Sequence, residues 1–167
     1  MVILETRTTD VYRNLAVEDV LLGCAGREPV LLLYRNRAAV VIGKNQNPWR
    51  ECRTDRLAAE GVVLARRVSG GGAVYHDLGN LNYAVVLPRA AYRAADVFAT
   101  VVNALRRVGV DARLTDRTSL SAGGAKVSGN AFALRGAGAL HHGTLLVAAD
   151  LGRLRRLLPG RCAPIES

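Results

Sequence analysis

The spacing of hydrophobic positions changes several times along the chain, and the changes mark out its elements. From Asp10 to Gly26, apolar residues at 11, 15 and 22, with others filling the same flank, predict a helix with Asp10 as N-cap and Gly23 or Gly26 as its stop. Pro29 to Gly43 holds two short apolar runs around Arg35-Asn36-Arg37 and predicts a buried hairpin. "VVLARRVS" and "LNYAVVLP" read as strands flanking a glycine-rich loop. In "AADVFATVVNALRRVG" the residues Val97, Phe98, Val101, Val102, Leu105 and Val108 share one stripe, and Gly109 ends it, which predicts a helix. "AKVSGNAFAL" and "LHHGTLLVA" follow as strands joined through "RGAGA", and "DLGRLRRLL" is a short closing helix with Asp150 as N-cap. With no repeats and no low-complexity linker, this order predicts one α+β domain on a mixed, mostly antiparallel sheet flanked by helices.

Composition narrows the class. At 167 residues the chain can bury a core without disulfides or metal. No apolar run approaches the roughly 20 residues of a membrane span. The start, with Glu5 and no long apolar core behind a basic segment, does not read as a secretory signal. The expectation is a cytoplasmic protein with no membrane partner. Cys24, Cys52 and Cys162 lie far apart with no C-x-x-C pair, which fits a reducing compartment and buried or incidental thiols. The net charge of +9 raises the question of nucleic acid, but the excess arginine is scattered through stretches such as "LRRVGVDARL" with few aromatics interleaved. An acidic protein partner or an anionic small molecule accounts for the sign as well, and no nucleic-acid partner is expected.

Chemistry concentrates in "RRVSGGGAVYHDLGN", residues 66–80. Gly70, Gly71 and Gly72 let a ligand approach bare backbone, at an entropic cost of about 1 kcal/mol each relative to alanine. Arg66, Arg67, His76, Asp77 and Asn80 cluster around them, as expected where an anion and hydrogen-bonding groups meet a ligand. Known phosphate loops fit poorly: there is no Gly-Lys-Ser/Thr, and G-x-G-x-x-G fails at Tyr75. In "GGAKVSGNA" a strand would put Lys126 and Ser128 on one face. Lys126 is there either a snorkelling edge charge or a cation over a buried anion. His141 and His142 point to opposite faces of a strand, so a shared metal ion is not expected; one packs or hydrogen-bonds in the sheet while the other faces the ligand.

Five blocks, "RNLAVEDVLL", "VVIGKNQNPWRE", "ARRVSGGGAVYHDLGNLNYAV", "AKVSGNAF" and "HHGTLLVAADLGRL", occur in the order seen in the lipoate–protein ligase A and lipoyltransferase family. The resemblance spans about residues 10 to 158. It implies the fold shared with biotin–protein ligases and related to class II aminoacyl-tRNA synthetases. It also implies a two-step reaction, in which lipoate and ATP, with Mg²⁺, give lipoyl-AMP. The acyl group then passes to one lysine of a lipoyl domain of a 2-oxoacid dehydrogenase E2 subunit or of the glycine-cleavage H protein. No permanent cofactor is implied. By this resemblance Lys126 is catalytic, holding the acyl carbonyl and the adenylate phosphate, and Arg67 lies near the phosphates. Ser69 and the Gly70–Gly72 backbone line the acyl slot, and His76, Asp77 and Asn80 face the adenylate, Asp77 being alternatively a turn residue. Asn45 and Gln46 stand near the acyl pocket, with Trp49 either beside them or in the core. Ser128, Gly129, His142, Gly143 and Thr144 complete the substrate contacts.

The sequence departs from the family pattern in two places. Where ligases carry an acidic residue before the lysine, associated with magnesium, "DRTSLSAGGAK" has Thr118 and Ser119, so the metal ligand is unassigned. The chain reads as a single catalytic domain over 1–167 that lacks the C-terminal part of full-length members, with a separate accessory chain as one way to complete it. These departures keep two alternatives in view: a lipoyl or octanoyl transferase that uses preformed acyl-AMP, and a non-catalytic module that binds lipoyl domains.

Overall fold

A computed structural model describes residues 1–158. The chain runs β1 (Val2–Glu5), α1 (Val11–Gly23), β2 (Val30–Tyr34), β3 (Ala39–Ile42), α2 (Pro48–Glu51), α3 (Thr54–Ala59), β4 (Val63–Arg66), β5 (Val74–His76) and β6 (Asn80–Pro88). A 3-10 turn at Arg89–Ala91 leads into α4 (Ala94–Arg107), β7 (Ala112–Leu114), β8 (Ser119–Ala122), β9 (Ala125–Arg135), β10 (Gly138–Leu146) and α5 (Leu151–Leu157). Seven strands form one sheet in the order β1-β2-β6-β10-β9-β8-β7, and β4-β3-β5 form a second. Among the described residues only β1 with β2 and β3 with β4 pair in parallel, which gives the expected mixed, mostly antiparallel α+β fold.

Residues 29–43 are not a hairpin. β2 pairs with β1 and β6, while β3 pairs with β4 and β5 in the other sheet. The reason lies in Asn36, which is fully buried instead of capping a solvent turn. Its Oδ1 accepts from Asn14 Nδ2 at 2.8 Å and its Nδ2 donates to His76 Nδ1 at 3.0 Å. The chain therefore crosses from one sheet to the other through a polar anchor.

α1 wedges between the sheets. Asp10 caps it, accepting from the Tyr12 and Arg13 amides, as the sequence predicts. Leu22 packs with Leu32, Tyr34, Ala84, Val86 and Leu140 on the large sheet, and Val11 packs with Ala39, Val41 and Ala65 on the small one. The buried stripe is Val11, Asn14, Glu18 and Leu22, so two polar residues occupy core positions of this helix. A second core joins Val40, Ile42 and Tyr75 to Cys52, Leu57, Val62 and Leu157, covering the small sheet with α3 and α5. Asp150 caps α5 by accepting from the Arg153 amide.

Other expectations shift in detail. In α4 only Val97 and Phe98 are buried, and Val108, 74% exposed, lies past the helix end and off the packed stripe. Trp49 is 78% exposed on α2 and is not core. Cys24 is exposed, Cys52 is buried, and Cys162 lies outside the described residues. No helix among the described residues is long and apolar enough to cross a membrane.

Candidate active site

The two sheets and α1 enclose a cavity of about 180 Å³. One wall is the glycine loop, with Arg67, Gly71, Gly72 and His76; the facing wall is β9 and β10, with Lys126, Gly129, His142, Gly143 and Thr144. All nine are residues expected at the site. Leu15, Tyr34, Val41, Ala73, Val74, Asn82, Thr118, Asn130 and Ala131 also line it and were not anticipated.

Lys126 sits at an irregularity. β9 pairs Lys126 with Ser121 and Ser128 with Leu120, so Val127 is an extra residue opposite no partner. The bulge breaks the alternation that would have set Lys126 and Ser128 on one face. Lys126 Cε instead lies 3.4 Å from the point where a Cβ on Gly129 would stand, so the side chain reaches over Gly129 while its residue stays exposed. Ser128 is fully buried, and its hydroxyl accepts from Asn130 Nδ2. Among the described residues no carboxylate lies within ion-pair distance of the Lys126 ammonium.

Arg67 is turned inward. Nε donates to Ser69 Oγ (2.9 Å), Nη1 to the Val41 carbonyl (3.1 Å), and Nη2 to the carbonyls of Gly70 (2.6 Å) and Gly72 (2.8 Å). Four of the five guanidinium donors are thus committed to the protein, and the side chain clasps the glycine loop. Burial lowers its pKa, and the nearby Glu18 acts in the opposite direction. Gly71 lies between the two clasped carbonyls with φ +88°, a left-handed conformation that only glycine adopts without strain.

Behind Arg67 a buried chain of polar groups extends to α1. Ser69 Oγ lies 2.6 Å from His142 Nε2, His142 Nδ1 lies 2.7 Å from Glu18 Oε2, and Tyr34 donates to Glu18 Oε1 at 2.8 Å. Burial and Glu18 together raise the Tyr34 pKa well above its usual value. Serine, histidine and glutamate in this order resemble a nucleophilic triad. Ser69 is only 1% exposed, does not line the cavity and already accepts from Arg67, so here the arrangement holds the loop instead of attacking a ligand.

The two adjacent histidines divide as the strand period predicts. His142 faces the cavity and Glu18. His141 faces the other side, its ring 4.9 Å from Phe98 at 81° and its Nδ1 3.1 Å from Tyr92 Oη; burial, then His142, pulls its pKa down to about 4. His76 is held neutral more strongly, its pKa lowered to about 3 by burial, Arg67 and His142. Its Nδ1 accepts from Asn36, which puts the proton on Nε2, an atom with no partner among the described residues.

The remaining expected residues lie outside the cavity wall, for identifiable reasons. Asp77 Oδ1 accepts from the Gly79 amide and Oδ2 from the Asp150 amide, so it serves the turn and anchors the start of α5. Asn80 is buried and donates to Asn82, which does line the cavity. Gln46 Oε1 accepts from the Gly43 amide and pins its own turn, while Asn45 is exposed beside it. Arg66 ties that turn down by donating to the carbonyls of Gly43, Lys44 and Gln46. Trp49 lines no part of the cavity.

Asn130 and Glu18 were missed. Asn130 Oδ1 accepts from Tyr83 Oη and His141 Nε2, while Nδ2 donates to Thr118 O and Ser128 Oγ, fixing the Thr118 segment beside β9. Three of its four bonds draw on groups outside β9, Tyr83, Thr118 and His141, which gave no signal. Glu18 did leave one: a carboxylate at core spacing, seven residues after Val11 and four before Leu22.

The pattern of the family described as "Lipoyl protein ligase A/B catalytic domain" matches residues 10–164. A curated relative, lipoate-protein ligase A of Psychrobacter cryohalolentis, is 44% identical over 153 residues, covering 91% of this chain and 45% of that protein. The chain thus spans about half the length of this relative. The bi-partite lipoate protein ligase of Thermoplasma acidophilum, whose structure is described with its E2 lipoyl domain, superposes with a TM-score of 0.86 at 36% identity, covering 95% of this chain and 66% of that one. A lipoate-protein ligase A bound with ATP superposes with a TM-score of 0.84 at 37% identity, covering 94% and 70%.

Proposed function

From the premise that the chain belongs to the lipoyl protein ligase A/B catalytic domain family, whose members share the biotin/lipoate ligase fold, we propose that it joins lipoate to a lysine of a lipoyl domain through lipoyl-AMP. One observation carries the reading. Three blocks far apart in sequence, at 67–76, 126–131 and 142–144, converge on one cavity with an exposed lysine on its wall.

In the first step a lipoate carboxylate oxygen attacks the α-phosphorus of ATP and pyrophosphate leaves, so two anions must approach. The Lys126 ammonium, unpaired by any carboxylate among the described residues, is the charge available to meet them. The acyl chain lies along Gly71, Gly72 and the Leu15 and Val41 side chains, gaining about 0.8 kcal/mol per buried methylene. In the second step the acceptor lysine amine attacks the acyl carbonyl, the bond to AMP breaks, and Lys126 stabilises the developing oxyanion. Acceptors are lipoyl domains of 2-oxoacid dehydrogenase E2 subunits or the glycine-cleavage H protein, met in the cytoplasm.

The residues do not form a carboxylate cage for magnesium. Ser119 is a buried hydroxyl, Asp116 Oδ1 already accepts from the Thr118 amide and hydroxyl, and no three candidate ligands cluster among the described residues. Magnesium would enter as its complex with ATP. Ser119 is also what favours a second reading, transfer from preformed lipoyl-AMP without adenylation. Mass spectrometry of a lipoyl-acceptor domain incubated with protein, lipoate, ATP and Mg²⁺, beside a sample given lipoyl-AMP, separates the readings. Modification in both samples is expected; modification only with lipoyl-AMP selects the transferase, and none in either, with or without an accessory domain, overturns the proposal.

A further inference from the structure

We infer that Glu18 is a positioning residue for the glycine loop, acting across the molecule through His142, Ser69 and Arg67. The inference rests on the reading that the cavity takes an acyl chain. Glu18 does not line that cavity and is 1% exposed, so it has no route to a ligand of its own. Its contacts are two side chains of the cavity wall: Tyr34 and His142 occupy its two oxygens, at 2.8 and 2.7 Å.

The relay requires His142 to carry a single ring proton, on Nδ1. With the carboxylate taking the proton of His142 Nδ1, Nε2 is left as an acceptor and takes the hydroxyl proton of Ser69. The Ser69 oxygen is then free to accept from Arg67 Nε, which fixes the plane of the guanidinium and so aims Nη2 at the carbonyls on either side of Gly71. A buried guanidinium stands at one end and a buried carboxylate at the other, with an imidazole and a hydroxyl between them. Through this relay helix α1 and strand β10 determine where the loop backbone stands.

A glutamine at position 18 cannot reproduce the pattern. Its amide offers one acceptor where two donors converge, and if its NH₂ faces His142 the imidazole must move its proton to Nε2. That nitrogen then donates to the Ser69 oxygen beside Arg67 Nε, the Ser69 hydroxyl proton loses its acceptor, and the clasp on the loop loosens.

The test uses the full chain. Long-range ¹H–¹⁵N spectra of the imidazoles should show His142 as the Nδ1–H tautomer in the wild type and altered in Glu18→Gln, with the Gly70–Gly72 amide shifts moving together. Lipoate affinity by calorimetry should fall roughly tenfold in Glu18→Gln. In an Arg67→Met background, the same change should cost less than about twofold, because the relay already ends there. Ser69→Ala cuts the relay without removing a charge and should reproduce the loop shifts, which keeps the inference testable if Glu18→Gln fails to fold. Full additivity of Glu18→Gln and Arg67→Met, or loop shifts unchanged in either relay variant, would overturn it. If the wild type binds no lipoate, the acyl-site reading fails, while the ligand-free loop shifts still decide whether Glu18 positions the loop.

Discussion

Gly43 and Gly71 meet backbone to backbone: a Cβ on Gly43 would overlap the Gly71 carbonyl oxygen. The turn after β3 thus buttresses the glycine loop from outside while Arg67 clasps it from within. Because the obstructing atom is main chain, it cannot yield as a side chain would. Gly43→Ala is expected to destabilise the protein by about 1–3 kcal/mol and to weaken lipoate binding, measured by urea unfolding and calorimetry.

The three glycines of the loop are not equivalent. Gly71 has φ +88°, and an added Cβ would stand 3.0 Å from Arg67 Nη2, whereas a Cβ at Gly70 or Gly72 meets nothing within 4 Å. Gly71→Ala should cost about 1–2 kcal/mol. Gly70→Ala, outside the left-handed region, should stay within about 0.5 kcal/mol of wild type in the same denaturation series.

Lys126 is exposed and makes no ion pair among the described residues, so Lys126→Ala should leave the unfolding midpoint unchanged. Acylation of a lipoyl domain, followed by mass spectrometry, should fall by about 10²–10³-fold or more, because the charge is needed mainly in the transition state. Activity within a few-fold of wild type would remove Lys126 from the mechanism.

Asp77 connects the turn before β6 to the start of α5 through both carboxylate oxygens. Asp77→Ala should lower stability by about 1–2 kcal/mol while lipoate affinity stays as in the wild type. An affinity loss with unchanged stability would return Asp77 to the ligand site.

His76 and His141 are neutral in the fold, with pKa values of about 3 and about 4 against about 6.5 when unfolded. Below pH 6.5 the unfolded chain takes up protons that the folded chain refuses, so acid favours unfolding. Stability contributed by their neutrality is complete above pH 6.5 and is lost as pH falls toward 4 and then 3, by up to about 1.4 kcal/mol per pH unit for each imidazole. Unfolding free energies at pH 7 and pH 5 should differ less in His141→Gln than in the wild type.

Much of this architecture is legible in sequence where one residue decides the local outcome. Asp10 and Asp150 announce their helices by the geometry of their own side chains, and the split of His141 from His142 follows from strand period alone. The hairpin expected at 29–43 fails because Asn36 has the residue type of a turn but is anchored by Asn14 and His76, neither of them near in sequence. The parity of Lys126 fails for a similar reason, since the bulge at Val127 depends on pairing with β8, a strand with no apolar run to announce it. β1, wholly exposed at a sheet edge, had no alternation to read. In the site, the glycine and lysine blocks stand out by composition, whereas the Arg67 clasp does not, because a cation beside glycines resembles a ligand-binding charge until its donors are counted.

The bulge at Val127 also sets a rule for length. Gly123 and Gly124 turn the β8–β9 hairpin with both φ angles positive, a two-residue reversal that fixes the register of the strands leaving it. From there the side on which an amino group emerges is a matter of odd and even. Lys126 stands opposite Ser121 and Gly129 opposite Ser119, two ladder steps apart, so the two share a face because Val127 is left out of the count. Removing Val127 would keep that parity, whereas one more residue entering the ladder between them would reverse it. A single deletion at Val127 should therefore be tolerated where a single insertion between Lys126 and Gly129 is not.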